Sequence, residues 1–392
     1  MDLSDDIPAA EGWNTSTAAI QLQNVTMTHF HQVLSYVVLE NGTKVAEYYN
    51  KEEGANETTH HQGFSITKSW TSLLVGILAS SGKVSVNETL GDIWPDEFNQ
   101  IWPYVDNSTY HKGITVEELL TMSSGCNDPP FNGDMLEAIN EGIFAGTNLT
   151  QALNYPNCSD ATAIKEFHYM NDNILSYIIL ERSGMPPQDL VSHYVMPYLG
   201  MTNGTWEWQK NLDGVAYTSA GFSTTTMNYA KFGQLYLQNG LASETKRIVP
   251  QEWITNSATG HIAISSDDPF RYLFKIDPNM TLTYGYRFWI FDGEEANVYC
   301  AYGAGGHFIC IWPDLARVLA VNPAMSSNFS DWLGYDFVSM VAGIRFASEN
   351  GIRGQEGNDQ SAASSAAKRG GGFISILLCF TAMVGHLILT AA

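Results

Sequence analysis

The sequence predicts an α+β domain: an antiparallel sheet flanked by helices, with a mostly helical region inserted. Three observations carry this. Strand-like runs occupy both ends of the domain, helical runs fill its middle, and a further helical run closes it. The lobes of such a fold leave a cleft between them, where a site is expected.

Residues 1–24 read as a polar leader. VLSYVVLE and TKVAEYY are alternating, β-rich runs around Asn41-Gly42, a strong hairpin signal. From Ser65 the texture changes. SITKSWTSLLVGILASSG is a helical run that stops at Gly82. Helical patterns recur at 115–123, 172–183, 187–198 and 226–238, separated by Gly- and Pro-rich loops. Strand texture returns at 282–291, 296–303, 307–312 and 316–322, and a last helix occupies 330–348. The domain then spans 25–350, with its helical region at about 83–240. A small and polar linker covers 351–372 and a hydrophobic tail 373–392. The helix at Ser65 runs between the sheet and the helical region.

At 392 residues and 44% apolar composition, the chain has ample material for a core. The net charge of −22 excludes nucleic acid and an anionic membrane surface as natural partners. Five cysteines at this length are no disulfide scaffold.

The compartment signals point two ways. MDLSDDIPAAEG has no basic stretch and no apolar core, so no signal peptide is visible. Yet 11 Asn-x-Ser/Thr sequons occur, where chance gives about four. Phe373 to Ala392 is an uncharged apolar run of 20 residues, long enough to span a bilayer. Small residues at Ser361-Ala362-Ala363 and a short polar spacer precede it. This arrangement fits a GPI-anchor signal or a single-span tail. The expectation is an extracellular, surface-anchored glycoprotein.

Familiar nucleophile and phosphate motifs are absent: there is no G-x-S-x-G, H-E-x-x-H or Walker loop. His29, His31, His60 and His61 lack nearby Asp or Cys partners, so neither a metal nor an organic cofactor is implied. Ser-x-x-Lys occurs four times, at Ser65/Lys68, Ser80/Lys83, Ser243/Lys246 and Ser365/Lys368. Only the first opens a long apolar helix. Residues i and i+3 share a helix face, so Lys68 can reach Ser65. The positive helix N-terminus favours a nucleophile there. A serine hydroxyl needs an adjacent base, and burial lowers a lysine's pKa enough to serve. A tyrosine close by would relay the proton. Of three Tyr-x-Asn triplets, Tyr169-Met170-Asn171 sits just before a helix, where it can face a cleft.

These residues resemble the serine β-lactamase-related hydrolases. That superfamily holds class C β-lactamases, D-alanyl-D-alanine peptidases, esterases and 6-aminohexanoate-dimer hydrolases. The resemblance lies in FSITKSWTSLLVGILASSGKVSVNETL with ITVEELLTMSSG, then FHYMNDNILSYIILERSGM, MPYLGMTNGTWEW, SAGFSTTTMNYAKFGQLYLQNG and YGAGGHFICIWPDLARVLAVN. It implies a β-lactamase/transpeptidase-like fold over roughly residues 30–345. It implies Ser65 as nucleophile, Lys68 as base, Tyr169 as proton relay and Asn171 as a group holding Lys68 or the substrate amide. The oxyanion hole would be the backbone N–H groups of Ser65 and of Ala304, after Gly303.

The departures from the family are informative. Its third element is K-T-G or H-x-G; here Ala301-Tyr302-Gly303 stands in that place, without the cation that helps bind a substrate carboxylate. The glycine-rich run after it is closer to the esterase and aminohexanoate-dimer branch. His307 replaces a frequent glutamine and is read either as a substrate contact or as a strand-capping side chain. Met170 is bulkier than the small residue usual in the family's Tyr-x-Asn, so a narrower cleft is expected. Cys300 and Cys310, on adjacent predicted strands, could pair, as could Cys126 and Cys158. Trp70, Trp289, Trp312 and Phe288 read as core or cleft wall. The expected activity is acyl-enzyme hydrolysis of an ester or small amide. The alternatives are a β-lactamase or D-Ala-D-Ala peptidase, and a catalytically silent surface binding protein.

Overall fold

The computed structural model describes residues 1–10, 20, 24, 33–96, 112–125, 167, 173–211, 213–266, 268, 271, 280–293 and 297–324. The first strands are β1 (Val33–Glu40), β2 (Thr43–Tyr49) and β3 (His60–Gln62). Helices α1 (Ile66–Ser80), α2 (Leu90–Ile93), α3 (Val116–Leu120), α4 (Ile174–Ser183) and α5 (Pro187–Tyr194) follow. Next come β4 (Trp206–Trp208), β5 (Phe222–Thr225), α6 (Thr226–Leu237) and α7 (Gln251–Ser257). The chain then runs through β6 (Ile262–Ala263), β7 (Thr281–Tyr284), β8 (Trp289–Asp292), β9 (Val298–Gly303), β10 (His307–Trp312) and β11 (Arg317–Pro323).

Eight strands form one sheet in the order β2-β1-β11-β10-β9-β8-β7-β6, and β3-β5-β4 form a small second sheet. Among the described residues, every pairing between these strands is antiparallel. The Asn41-Gly42 hairpin forms as read: both residues take positive φ, 50° and 77°, the condition for a two-residue turn that follows strand twist. The sequence-distant closure is β1 on β11, with Val37 opposite Ala320.

Both faces of the sheet are buried, so alternation in its strands sorts side chains between two apolar clusters. Ile309 and Ile311 of β10 join Val318 and Ala320 of β11 in the cluster shared with the helices. Phe308, Cys310 and Trp312 join Leu319 and Val321 on the other face. Helix α6 lies against the sheet at Gly233, where an added Cβ would meet Val318 Cγ1 at 2.5 Å and Ile309 Cγ2 at 2.8 Å. Helix α1 is buried on almost every side, its polar residues Thr67, Lys68, Ser69, Thr71 and Ser72 included. Trp70 in it packs on Phe232 (ring centroids 4.2 Å) and Phe222 (4.5 Å). The helix stops where read, with Gly82 at φ 69°.

One expected element divides. The run 282–291 is not a single strand but the β7–β8 hairpin, with Tyr284 opposite Trp289. Arg287 takes φ 66° in the connection, and its N–H donates to both Gly285 O and Leu120 O. A Cβ at Gly285 would collide with the carbonyl oxygen of Ser257, so only glycine lets this turn pack on α7. Cys300 and Cys310 face each other across β9 and β10 and form a disulfide, Cα–Cα 4.2 Å.

The first ten residues are integrated rather than loose. Leu3 and Ile7 are buried in the helix-side cluster, and Leu3 N–H donates to Ala242 O at 2.7 Å. Ala9 bridges to Lys44 beside β2. The buried Lys231 ammonium donates to Asp5 O (2.9 Å) and Leu199 O (3.1 Å). Cys126, Cys158, Met170, the helix read at 330–348, the linker and the tail lie outside the described residues. Among the described residues, no helix is long and apolar enough to cross a membrane.

Candidate active site

Ser65 caps α1 at its N-terminus, half-buried, with φ −68° and ψ −6°. Phe64 before it takes φ 47°, a conformation rare for a residue with a side chain. Local bonds hold it there. Thr67 donates to Phe64 O through Oγ1 (2.6 Å) and N–H (3.1 Å). Gly63 N–H donates to Phe222 O at 2.9 Å, and Phe222 N–H to Thr67 Oγ1 at 3.1 Å. The nucleophile candidate is thus fixed between α1 and the strand end at Phe222.

Lys68 lies one turn into α1 and is 1% exposed, a burial that demands polar partners. Its Nζ sits 3.3 Å from Ser65 Oγ and 3.0 Å from Ser219 O. Ser219 is itself clamped. Asn173 Oδ1 accepts from Thr218 N–H (3.0 Å), Ser219 N–H (3.3 Å) and Ser219 Oγ (3.1 Å). Thr71 Oγ1 on α1 donates to Thr218 O at 3.0 Å. Ser219 and Asn173 carry no recognisable motif. Their sequence signal is only their place within the runs quoted for the family resemblance.

The end of β9 closes the other side. An added Cβ on Gly303 would overlap the carbonyl oxygen of Gly63, two residues before Ser65. Gly303 and the following half-buried Ala304 therefore lie beside the segment that ends in Ser65. The turn through Gly305 and Gly306, φ 81° and 90°, returns the chain into β10. Ala301, two residues before Gly303 in β9, is fully buried.

His307 starts β10, and its ring packs on Phe64 with centroids 5.3 Å apart. It is 3% exposed. Its Nδ1–H donates to Asn322 Oδ1 at 3.0 Å, and its buried Nε2 has no hydrogen-bond partner among the described residues. Asn322 Nδ2 donates to Thr226 Oγ1 (3.1 Å), which bonds Ser35 Oγ (2.6 Å), which bonds His61 Nε2 (2.9 Å). Three buried side chains, Asn322, Thr226 and Ser35, thus link two histidines beneath the site. Burial pushes both imidazoles down to about 4, and for His61 the charge of His307 adds to it. Tyr169 and Asn171 lie outside the described residues.

The sequence pattern of the Beta-lactamase family matches residues 29–328, and the chain belongs to that family. That family is the β-lactamase-related serine hydrolases. Solved structures agree on the fold. A family VIII carboxylesterase is similar at TM-score 0.61 and 12% identity, covering 88% of this chain and 99% of that one. An octameric penicillin-binding protein homologue from Pyrococcus abyssi gives TM-score 0.57 at 20% identity, covering 82% and 74%. A D-stereospecific amidohydrolase from Streptomyces gives 0.56 at 15% identity, covering 80% and 97%. No curated protein is a significant match to the chain.

Proposed function

We propose that the protein hydrolyses an ester or small amide through an acyl-enzyme on Ser65. The observation that carries this reading is the buried Lys68 Nζ, 3.3 Å from Ser65 Oγ at the head of α1. Lys68 accepts the Ser65 proton as Oγ attacks the substrate carbonyl. The Ser65 and Ala304 N–H groups hold the oxyanion. Tyr169 passes a proton to the leaving group, Asn171 steadies Lys68 or the substrate amide, and water then opens the acyl-enzyme. His307 shapes the site through Phe64. Ala301 argues for substrates without a carboxylate beside the scissile bond, and so against a β-lactam or D-Ala-D-Ala peptide. The 373–392 tail anchors the domain at the cell surface.

The full chain is tested on short-chain p-nitrophenyl esters beside Ser65→Ala. Turnover lost in the variant supports the reading. Equal rates in both folded proteins would sink it. Faster hydrolysis of a chromogenic cephalosporin than of esters would favour the β-lactamase alternative, and silence toward esters, amides and β-lactams the binding protein.

A further inference from the structure

The sequon asparagines segregate from the others. Among the described residues five asparagines stand in sequons, Asn24, Asn41, Asn56, Asn87 and Asn203, and all five are exposed. Of the eight described asparagines outside sequons, only Asn239 and Asn297 are exposed. Four of the others, Asn173, Asn211, Asn228 and Asn322, are buried and bonded into the fold. A generally Asn-rich surface does not sort asparagines by the residue two places on.

The placements share a direction. Asn41 is at the β1–β2 turn, its N–H on Ala316 O, past the end of β10 opposite His307. Asn87 follows α1, whose 15 residues carry the chain about 22 Å from Ser65. Asn56 precedes β3, whose other end leads into Gly63 and Ser65. Asn203 precedes β4, where Trp206 pairs with Thr224 and the far end, Trp208, pairs with Phe222 beside the site. At Asn56, Thr58 Oγ1 donates to the side-chain Oδ1 at 2.7 Å, joining the two sequon side chains directly.

We propose that Asn41, Asn56, Asn87 and Asn203 carry N-linked glycans, on ends of elements turned away from Ser65, leaving the active-site mouth bare. The donor class is a lipid-pyrophosphate-linked oligosaccharide. The asparagine amide nitrogen attacks the anomeric carbon. The bond from that carbon to the pyrophosphate oxygen breaks, the C–N bond forms, and one amide proton leaves to base. Sugar attachment does not depend on the hydrolase reading, whereas the bare active-site mouth rests on it.

The test takes full-length protein from the cells that make it and removes glycans enzymatically in heavy-oxygen water. Each sugar-bearing asparagine then becomes a labelled aspartate, located by peptide mass spectrometry. Label at these four positions is expected, and unlabelled peptides covering them would overturn the proposal. The placement is tested separately on the ester assay. Deglycosylation of the folded protein, and a variant with Asn56, Asn87 and Asn203 changed to Gln and Asn41, at positive φ, changed to Asp, should keep turnover within about two-fold. A large gain in turnover on removing the sugars would show that they cover the mouth and overturn the placement. Absence of turnover in the glycosylated protein would reject the hydrolase reading and leave the labelling result standing.

Discussion

The carbonyl oxygen of Gly63 occupies the space that a Cβ on Gly303 would fill. The end of β9 is thereby pressed against the segment that ends in Ser65. Gly303→Ala must push the two apart. A stability loss of about 1–3 kcal/mol is expected from the overpacking, together with a fall in ester turnover larger than the residual fold loss explains. Parallel denaturation and kinetics on the variant check this; unchanged kcat would refute the coupling.

Lys68→Arg should be as inactive as Lys68→Ala. A guanidinium keeps its proton at any workable pH and cannot serve as base. If charge alone mattered, the arginine variant would recover activity. The check is the burst of p-nitrophenol from acylation, which both variants should lose while Ser65 remains.

Asn173→Ala removes one oxygen that accepts three bonds from residues 218–219. Leaving those donors buried costs about 2 kcal/mol. It also loosens Ser219 O, the second partner of Lys68 Nζ. The urea midpoint and kcat should fall together, with KM moved less. A drop in the midpoint at constant kcat would leave Asn173 a purely structural residue.

Acid should destabilise the fold through its two buried histidines. Both are held near pKa 4 in the fold, against 6.5 ordinarily. The stability they carry is full above pH 6.5. It falls as pH drops from there toward 4, because the unfolded chain binds protons that the folded chain refuses. Each contributes a slope of about 1 kcal/mol per pH unit in that window. His307→Gln removes one share, and urea midpoints between pH 7 and 5 should decline less steeply in the variant. Equal slopes would refute the assignment.

The Cys300–Cys310 disulfide closes a short loop between neighbouring strands. Replacing both residues by alanine should cost about 2 kcal/mol or more, read as a lower melting temperature under oxidising conditions.

Local signals in the sequence were the legible ones. Asn41-Gly42 marks its hairpin because both residues tolerate positive φ. Ser65 and Lys68 were readable because helical spacing alone brings them together. What escaped depends on distant partners. The turn at 285–288 looked like strand because its aromatic residues fit either state, and it is α7 packed on Gly285 that decides. Ser219 and Asn173 were invisible because a backbone carbonyl and its clamp leave no side-chain pattern. His307 could be read either way from sequence, and in the fold it is buried with Nδ1 committed to Asn322. The polar reading of residues 1–24 missed Leu3 and Ile7, whose apolar surroundings come from chain far downstream.

That last packing has a consequence for the order of synthesis. Leu3 cannot dock until Ala242 exists, and β1 cannot find β11 until residues 317–323 have been made. At about 5–20 residues per second, Leu3 waits on the order of ten to fifty seconds after leaving the ribosome. Throughout that interval Leu3 is without Ala242, and β1, paired only with β2, presents an open edge where β11 will lie, so a nascent chain of this protein needs shielding from its own copies before it needs anything else.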